Sequence, residues 1–420
     1  MNIVYIHTHD TGRFIQPYGY AVPTPHLMEL AKEGVLFRQA YCAGPTCSPS
    51  RVALLTGVAP HTAGMHGLAH RGAEMKDYSK HLVTYLNSNG YETVLCGIQH
   101  EAPQSEMIGY HHIIGNPNYD MKVFDFDSVS WDMHNAEAAS TYIKEKKNKP
   151  FFLSFGLFNT HLNFPAADPK IEEAYIQPPH MLYDNEENRK QWAAFLTSAQ
   201  VADDAIGMVL SAITEAGLDN DTLIIYTTDH GLPFPRMKCS LFDMGIGVSL
   251  IIRTPQGHRR GEAVDALVSH LDLFPTICDL AGLPAPEWLQ GHSILPILEE
   301  RAASIRSEVH AEINYHVEYE PMRCVRTERY KYIRNFGATS YIQANLDKSE
   351  YRTFLFDHGF MALTKPKEML FDLYLDPVEQ VNLVHDVRYS EIREQLAQNL
   401  EEWMKSTGDP LLEGEVPIRP

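Results

Sequence analysis

An α/β fold with a mainly parallel central sheet flanked by helices, followed by a smaller α+β unit with an antiparallel sheet, is predicted by three observations. Short apolar runs alternate with helical patterns over the first three quarters of the chain, as βαβ units require. Those runs are continuous, which suits strands covered on both faces. Near residue 316 the texture changes to charged, hairpin-like sequence, Arg323-Cys-Val-Arg-Thr-Glu-Arg-Tyr-Lys-Tyr-Ile-Arg334. At 420 residues the chain exceeds one small domain. A large unit over 1–316 and a smaller one over 317–420 are therefore expected.

In chain order, residues 3–8 read as a strand, 25–33 and 48–56 as helices, 81–89 as a helix and 92–98 as a strand. Pro150-Phe-Phe-Leu-Ser-Phe-Gly-Leu-Phe158 reads as a buried strand because it is apolar throughout. Residues 190–216 form a long amphipathic pattern and so a helix. Asp221-Thr-Leu-Ile-Ile-Tyr-Thr227 and Val248-Ser-Leu-Ile-Ile-Arg253 are two further strands, and Leu271–Leu280 is helical. In the last quarter, Glu368-Met-Leu-Phe-Asp-Leu-Tyr374 reads as a strand and 389–405 as a closing helix. Residues 336–366 show no pattern, and so long an irregular connection is often functional.

Composition narrows the classes. Apolar residues make up 44% and Gly and Pro are at ordinary levels, which excludes disordered and fibrous chains. A formal net charge of −19 disfavours nucleic acid, anionic lipid and long sulfated polysaccharides. It leaves room for a small anionic substrate captured in a local basic pocket. Six scattered cysteines (42, 47, 96, 239, 278, 324) include no Cys-x-x-Cys pair, which argues against a zinc ribbon or a dense disulfide framework, and most are expected to fill the core. Met1-Asn-Ile-Val-Tyr-Ile-His7 carries no export signal, and no stretch approaches an uninterrupted membrane span. A cytoplasmic protein is expected, or a secreted or periplasmic one if an upstream leader is missing from this sequence. Self-association stays open.

Chemistry-bearing residues cluster at predicted strand ends, where open α/β sheets place their ligand groups. His7-Thr8-His9-Asp10 ends the first strand, with His7 and His9 on one face by period-2 alternation and Asp10 on the other unless the strand end twists. Thr227-Thr228-Asp229-His230-Gly231 ends another. Two strand ends that each offer Asp beside His suit a divalent cation. Cys47-Ser48-Pro49-Ser50-Arg51-Val52-Ala53-Leu54-Leu55-Thr56-Gly57 sets a thiol at the amino end of a helix begun by Pro49. There, free N–H groups and the helix dipole favour an anion.

With Cys47 two residues before a proline and four before an arginine, the chain resembles the alkaline-phosphatase-like sulfatases. The resemblance extends to Thr24-Pro-His-Leu-Met-Glu-Leu-Ala-Lys-Glu-Gly34, Asn159-Thr-His161, Asp229-His-Gly-Leu-Pro-Phe-Pro-Arg-Met-Lys238 and Leu370-Phe-Asp-Leu-Tyr-Leu-Asp-Pro-Val-Glu-Gln-Val-Asn-Leu383. Gly231–Pro235, Tyr319-Glu-Pro-Met-Arg323 and Gly408-Asp-Pro410 are most similar to the N-sulfoglucosamine sulfohydrolase (heparan sulfamidase) branch and its bacterial relatives.

The resemblance implies an alkaline-phosphatase-like sandwich. It also implies a sulfatase acting on a sulfate ester or N-sulfate of a small or terminal sugar, through a sulfo-enzyme intermediate. Cys47 would be oxidised to formylglycine by a formylglycine-generating enzyme. A thiolate suits sulfuryl transfer poorly, because a sulfated thiol has no easy exit, whereas an aldehyde hydrate offers one hydroxyl to attack sulfur and one to expel sulfate. Arg51 would brace the hydrate, and Asp10, Asp229 and His230, with His9 and residue 47, would hold one divalent cation. Lys238 and His161 would contact the substrate, with His161 the favoured proton donor to the leaving group, and His100 would act as base.

Two departures bear on this reading. Ile98 stands where relatives carry a lysine two residues before His100, which removes a cation contact worth about 3 kcal/mol unless Arg236 or another base replaces it. His9 stands where a second aspartate is usual, which moves preference from calcium toward manganese, zinc or iron. It keeps open a phosphonate or phosphate monoester hydrolase. A non-catalytic protein that binds sulfated ligands with an unmodified Cys47 is the third alternative. His270 with Asp272 reads as a helix cap and Asp203-Asp204 as a solvated or packing face, while the resemblance alone implies that His316, Arg323 and Arg326 reach across from the small unit to select the sugar.

Overall fold

Strand β1 (Asn2–Thr8) is buried along its whole length at the middle of a nine-stranded sheet. This computed structural model describes residues 1–116, 127–145, 147–342 and 345–416. The remaining strands of the sheet are β2 (Val35–Tyr41), β3 (Glu92–Gly97), β4 (His112–Ile114), β5 (Phe151–Gly156), β6 (Thr222–Thr228), β7 (Gly247–Val248), β8 (Leu250–Arg253) and β9 (Glu262–Ser269). Their order is β4-β3-β5-β1-β6-β8-β2-β7, with β9 beside β2. The first five are mutually parallel, while β8 is antiparallel to β6 and β2.

Alternation within β1 explains the two layers of helix. Ile3 and Tyr5 face one core with Leu54, Leu86, Phe274 and Ile277. Val4 and Ile6 face another with Ala136, Ala139, Ile206 and Val209. Helices Cys47–Thr56, Leu82–Ser88 and Leu273–Ala281 thus cover one face, and Ser128–Lys144 and Glu186–Glu215 the other. Glu186–Glu215 is long and apolar enough to cross a membrane, but its apolar side lies against the sheet. Asp203 on this helix accepts the His26 and Leu27 N–H groups at 2.8 Å each, capping helix Pro25–Glu33, whereas Asp204 is exposed.

The pattern-based expectations miss β2, β9 and helix Ser128–Lys144, and treat 248–253 as one strand. Ser249 breaks that strand by turning its N–H to the Gly12 carbonyl at 3.0 Å, so the break supports the turn that follows β1. The segment read as irregular, 336–366, contains helix Glu350–Asp357.

A second, four-stranded antiparallel sheet follows: β10 (Glu308–Tyr315), β11 (Tyr319–Thr327), β12 (Tyr330–Asn335) and β13 (Glu368–Asp372). Its first strand precedes residue 317, so the change of texture in the sequence falls inside this sheet. Ile313, Met322, Cys324 and Ile333 pack toward the large sheet, while Val325, Tyr332 and Leu370 meet Leu396, Leu400 and Met404 of helix Ser390–Thr407. All six cysteines are buried free thiols, which suits the expectation that most of them fill the core.

Arg323 is fully buried. Its guanidinium is forked onto Asp409, at 2.5 and 2.9 Å, and also reaches Asn314 at 3.0 Å. Arg326 is held by Gln39 and Asp243. Both ties run between distant segments, so these arginines are engaged in holding the small sheet. Asp409→Ala strands the Arg323 charge and should cost about 3–5 kcal/mol in urea denaturation. A loss below about 1 kcal/mol would show that the pair is dispensable.

Candidate active site

Four neighbouring parallel strands end side by side, and each delivers a chemically active residue just past its carboxyl end. Registers Gly97↔Gly156, His7↔Gly156 and Thr8↔Thr228 align the ends of β3, β5, β1 and β6. His100 follows β3, His161 follows β5, His9 and Asp10 follow β1, and Asp229 and His230 follow β6.

Alternation alone would send Asp10 away from His9. Instead Asp10 adopts φ 56°, a left-handed conformation that aspartate tolerates better than most residues, and the turn brings both side chains to one place. The turn is fixed from three sides. The Asp10 N–H donates to Asp229 Oδ1 at 2.9 Å, the Thr11 N–H to Thr228 Oγ1 at 3.1 Å and the Gly12 N–H to the His230 carbonyl at 2.9 Å. Gly231 packs against Met244 so closely that a Cβ would lie 1.9 Å from the Met244 carbonyl oxygen. Only glycine lets the His230 loop sit this deep.

Asp10 and Asp229 are both fully buried, and cations stand behind each. Lys238 Nζ lies 2.8 Å from Asp10 Oδ2, and Arg51 Nη2 lies 3.0 Å from Asp229 Oδ2. Burial opposes the Asp10 carboxylate, but Lys238, His161 and His230 outweigh it and hold its pKa at about 2. Asp229 is depressed further, since His230, His9 and Arg51 also overcome its burial. His9 Nδ1 bridges the pair, 2.8 Å from Asp10 Oδ1 and 3.2 Å from Asp229 Oδ2, and its Nε2 meets His100 Nδ1 at 3.3 Å.

Cys47 is the first residue of helix Cys47–Thr56, whose ten residues are all buried. Thr46 makes no side-chain cap, so the N–H groups of this helix start beside the thiol. Burial pushes the Cys47 thiol far up, with Lys238 opposing only in part. Arg51, one turn on, hydrogen-bonds His7 Nδ1 as well as Asp229, which fixes its direction. Ser50 donates to the Asp229 carbonyl at 2.5 Å, tying helix to strand end.

Ligand atoms of Asp10, Cys47, Asp229 and His230 lie within 4.8 Å of one another, as do those of His9, Asp10, Cys47 and His161. His230 Nε2 is buried without a hydrogen-bond partner, 3.3 Å from Asp10 Oδ1 and 3.7 Å from Asp229 Oδ2. An imidazole nitrogen left over between two carboxylates fits a divalent cation.

Lys238 lies 3.5 Å from His161 Nε2. Arg236 and Cys239 on either side of it have φ 65° and 61°, strained values for such side chains. Burial works against the charge of Lys238, but Asp10 and Asp347 hold its pKa well above the ordinary value. Burial depresses His9, His100 and His161, most strongly the first two.

Several expectations need correction. Arg236 does not replace the lysine absent at 98: it hydrogen-bonds the Glu379 carbonyl at 3.0 Å and stacks on Phe242. Ile98 is buried in a small apolar cluster with Trp131 and Phe158. Of the three groups read as sugar-selecting only His316 comes near, 3.8 Å from Asp347. His270 bonds Thr227 at 3.0 Å, while Asp272 completes a capping box with Ser269. Asp347, 2.7 Å from Lys238, was not foreseen. It lies in a patternless stretch and no local signal marks it.

The sulfatase family profile matches residues 1–283, and that of the N-sulphoglucosamine sulphohydrolase C-terminal region matches 235–365. An ulvan-active sulfatase of Formosa agariphila is 30% identical over 94% of this chain and 78% of its own length. Human N-sulphoglucosamine sulphohydrolase is 26% identical, over 93% and 87%. A solved 2-O GAG sulfatase superposes with a TM-score of 0.77 at 24% identity, covering 100% of this chain and 95% of its own, and so shares the fold.

Ile98→Lys would bury a charge against Trp131 and Phe158, so it should lower stability by about 3 kcal/mol or more and restore no activity. Denaturant midpoints and kcat/KM of the variant check this. Undiminished stability with faster turnover would mean that the side chain reaches the site.

Proposed function

The chain belongs to the sulfatase family and is a sulfuric ester hydrolase, and from that membership we propose that it hydrolyses a sulfate ester or N-sulfate on a small or terminal sugar. The observation that carries the reading is the convergence of Cys47, Asp10, Asp229, His230, Lys238 and His161 in one buried centre.

Asp10, Asp229 and His230, with His9 and residue 47, would hold one divalent cation, calcium by family habit and manganese or zinc by the imidazole of His9. When bound, such an ion polarises a sulfate oxygen and lowers the pKa of a hydroxyl beside it. Formylglycine made from Cys47 would supply, as its hydrate, one hydroxyl to attack sulfur and a second to expel sulfate from the sulfo-enzyme. The buried thiol itself is a poor candidate nucleophile, because its raised pKa leaves little thiolate.

Each remaining residue has a task its surroundings support. Arg51, held by His7 and Asp229, braces residue 47 with a charge that cannot be lost. Lys238 stays protonated and is aimed, with His161, at the substrate side of Asp10. His161 gives its proton to the leaving oxygen or nitrogen as the bond to sulfur breaks. An incoming anion favours its charged form. His100, neutral because burial holds its pKa down, takes the proton of the second hydroxyl when sulfate departs.

The test is a pair of assays on sulfate and phosphate esters of one alcohol, using protein made with and without a formylglycine-generating enzyme. Faster sulfate release by the matured protein alone, with a residue-47 peptide carrying an aldehyde, is expected. Far faster phosphate turnover would overturn the substrate assignment in favour of a phosphonate or phosphate monoester hydrolase. Full activity with an unmodified Cys47 would overturn the mechanism.

Chelation should abolish turnover, and one divalent ion should restore it. Asp229→Asn should lower kcat/KM by about a hundredfold or more, measured at saturating metal. An unchanged rate after exhaustive chelation would remove the ion from the account.

A further inference from the structure

We propose that a groove opening from His161 is a subsite for a second acidic group, so that the preferred substrate carries a sulfate or carboxylate besides the sulfate that is cleaved. This inference rests on the sulfatase reading and deepens it. The groove has a volume of about 380 Å³ and is lined by His161 and Asp347 on the side of the reacting centre and by Arg71, Lys348 and Arg352 farther out.

Three cations around one groove stand out on a chain of net charge −19. The acid in the lining, Asp347, faces Lys238 at 2.7 Å, a charge it shares with Asp10, so it offsets at most one of the three. Among the described residues, none of the three cations has a carboxylate partner within salt-bridge distance. Arg352 is half-buried with its guanidinium over the Phe356 ring at 4.6 Å, and its Nε is buried without a hydrogen-bond partner. Its guanidinium is thus free of any acid and can donate to an anion in the groove.

The backbones that carry the three cations are fixed, although only the Arg352 guanidinium is itself held, over Phe356. Arg71 ends the short helical turn Ala69–Arg71, closed by Gly72 at φ 91°. Lys348 follows Asp347, which Lys238 ties to the reacting centre. Arg352 sits in the first turn of helix Glu350–Asp357, capped by Ser349. Two guanidinium forks suit the oxygens of a sulfate or carboxylate, where a free lysine alone would give only a mobile point charge. A second anion placed here would set the orientation of the sugar over His161 and Lys238, which makes these specificity-determining rather than catalytic residues.

Two substrate pairs test this on the matured enzyme. One is glucosamine N-sulfate against glucosamine N,6-disulfate. The other is a 2-sulfated uronic acid against its methyl ester, which removes the carboxylate. For at least one pair, the member with the second acid should show a KM lower by roughly tenfold to a hundredfold in the unaltered protein. That ratio should fall to near one in the Arg71→Gln, Arg352→Gln double variant, with kcat changing less than KM and a melting temperature matching the parent. The pair that responds tells sulfate from carboxylate. A ratio near one for both pairs in the unaltered protein, or a ratio the double variant leaves intact, overturns the subsite. No sulfate release from any of the four compounds fails the sulfatase reading instead. The subsite is then judged from dissociation constants of the same pairs for Cys47→Ser protein, where equal affinities overturn it.

Discussion

Two carboxylates, Asp10 and Asp229, face one buried space from adjacent parallel strands, and most of the surrounding architecture follows from keeping them ionised there. Burying one unpaired carboxylate is costly, and two that face each other would repel. The fold answers with a cation behind each, Lys238 and Arg51, and with His9 between them. Arg51 comes from a helix that must then be wholly buried, and Lys238 from a loop with two left-handed residues beside it. What remains between the carboxylates is a concave space lined by oxygen and nitrogen ligands.

The parallel sheet is what makes this affordable. Strand ends aligned by register place four short loops in contact, so residues from positions 9, 100, 161 and 229 meet without any long-range adjustment. The small sheet contributes at a distance. It is tied to the large unit by the Arg326–Asp243 pair, while the Arg323–Asp409 fork closes it internally onto the segment after its own helix, and it carries Tyr315 and His316 to the rim. Its chemistry is therefore mostly structural, while the connection after β12 supplies Asp347 and two of the three cations of the outer groove, Lys348 and Arg352.

Much of the parallel core was legible in the sequence because its strands are uninterrupted apolar runs and its helices strongly periodic. β2 and β9 were not, since Arg38-Gln39 interrupts the first, and the second is half-exposed at Glu262, Ala263 and Asp265. The grouping of Asp10 with His9 was only half legible: alternation separates them, and a single left-handed residue reunites them. The pairing of Arg323 was not legible either, because its partner, Asp409, lies 86 residues later. Asp347 could not be found at all, because what identifies it is a contact and not a pattern.

The central claim is that residue 47 and a cation between Asp10, Asp229 and His230 form one reacting centre. A crystal structure of protein matured in a host that carries the formylglycine-generating enzyme tests it most directly. The account predicts electron density for a hydrated aldehyde at residue 47 and one divalent ion touching it together with Asp10, Asp229 and His230. A plain thiol at residue 47 in protein that turns over sulfate esters, or an ion bound away from these side chains, would contradict it.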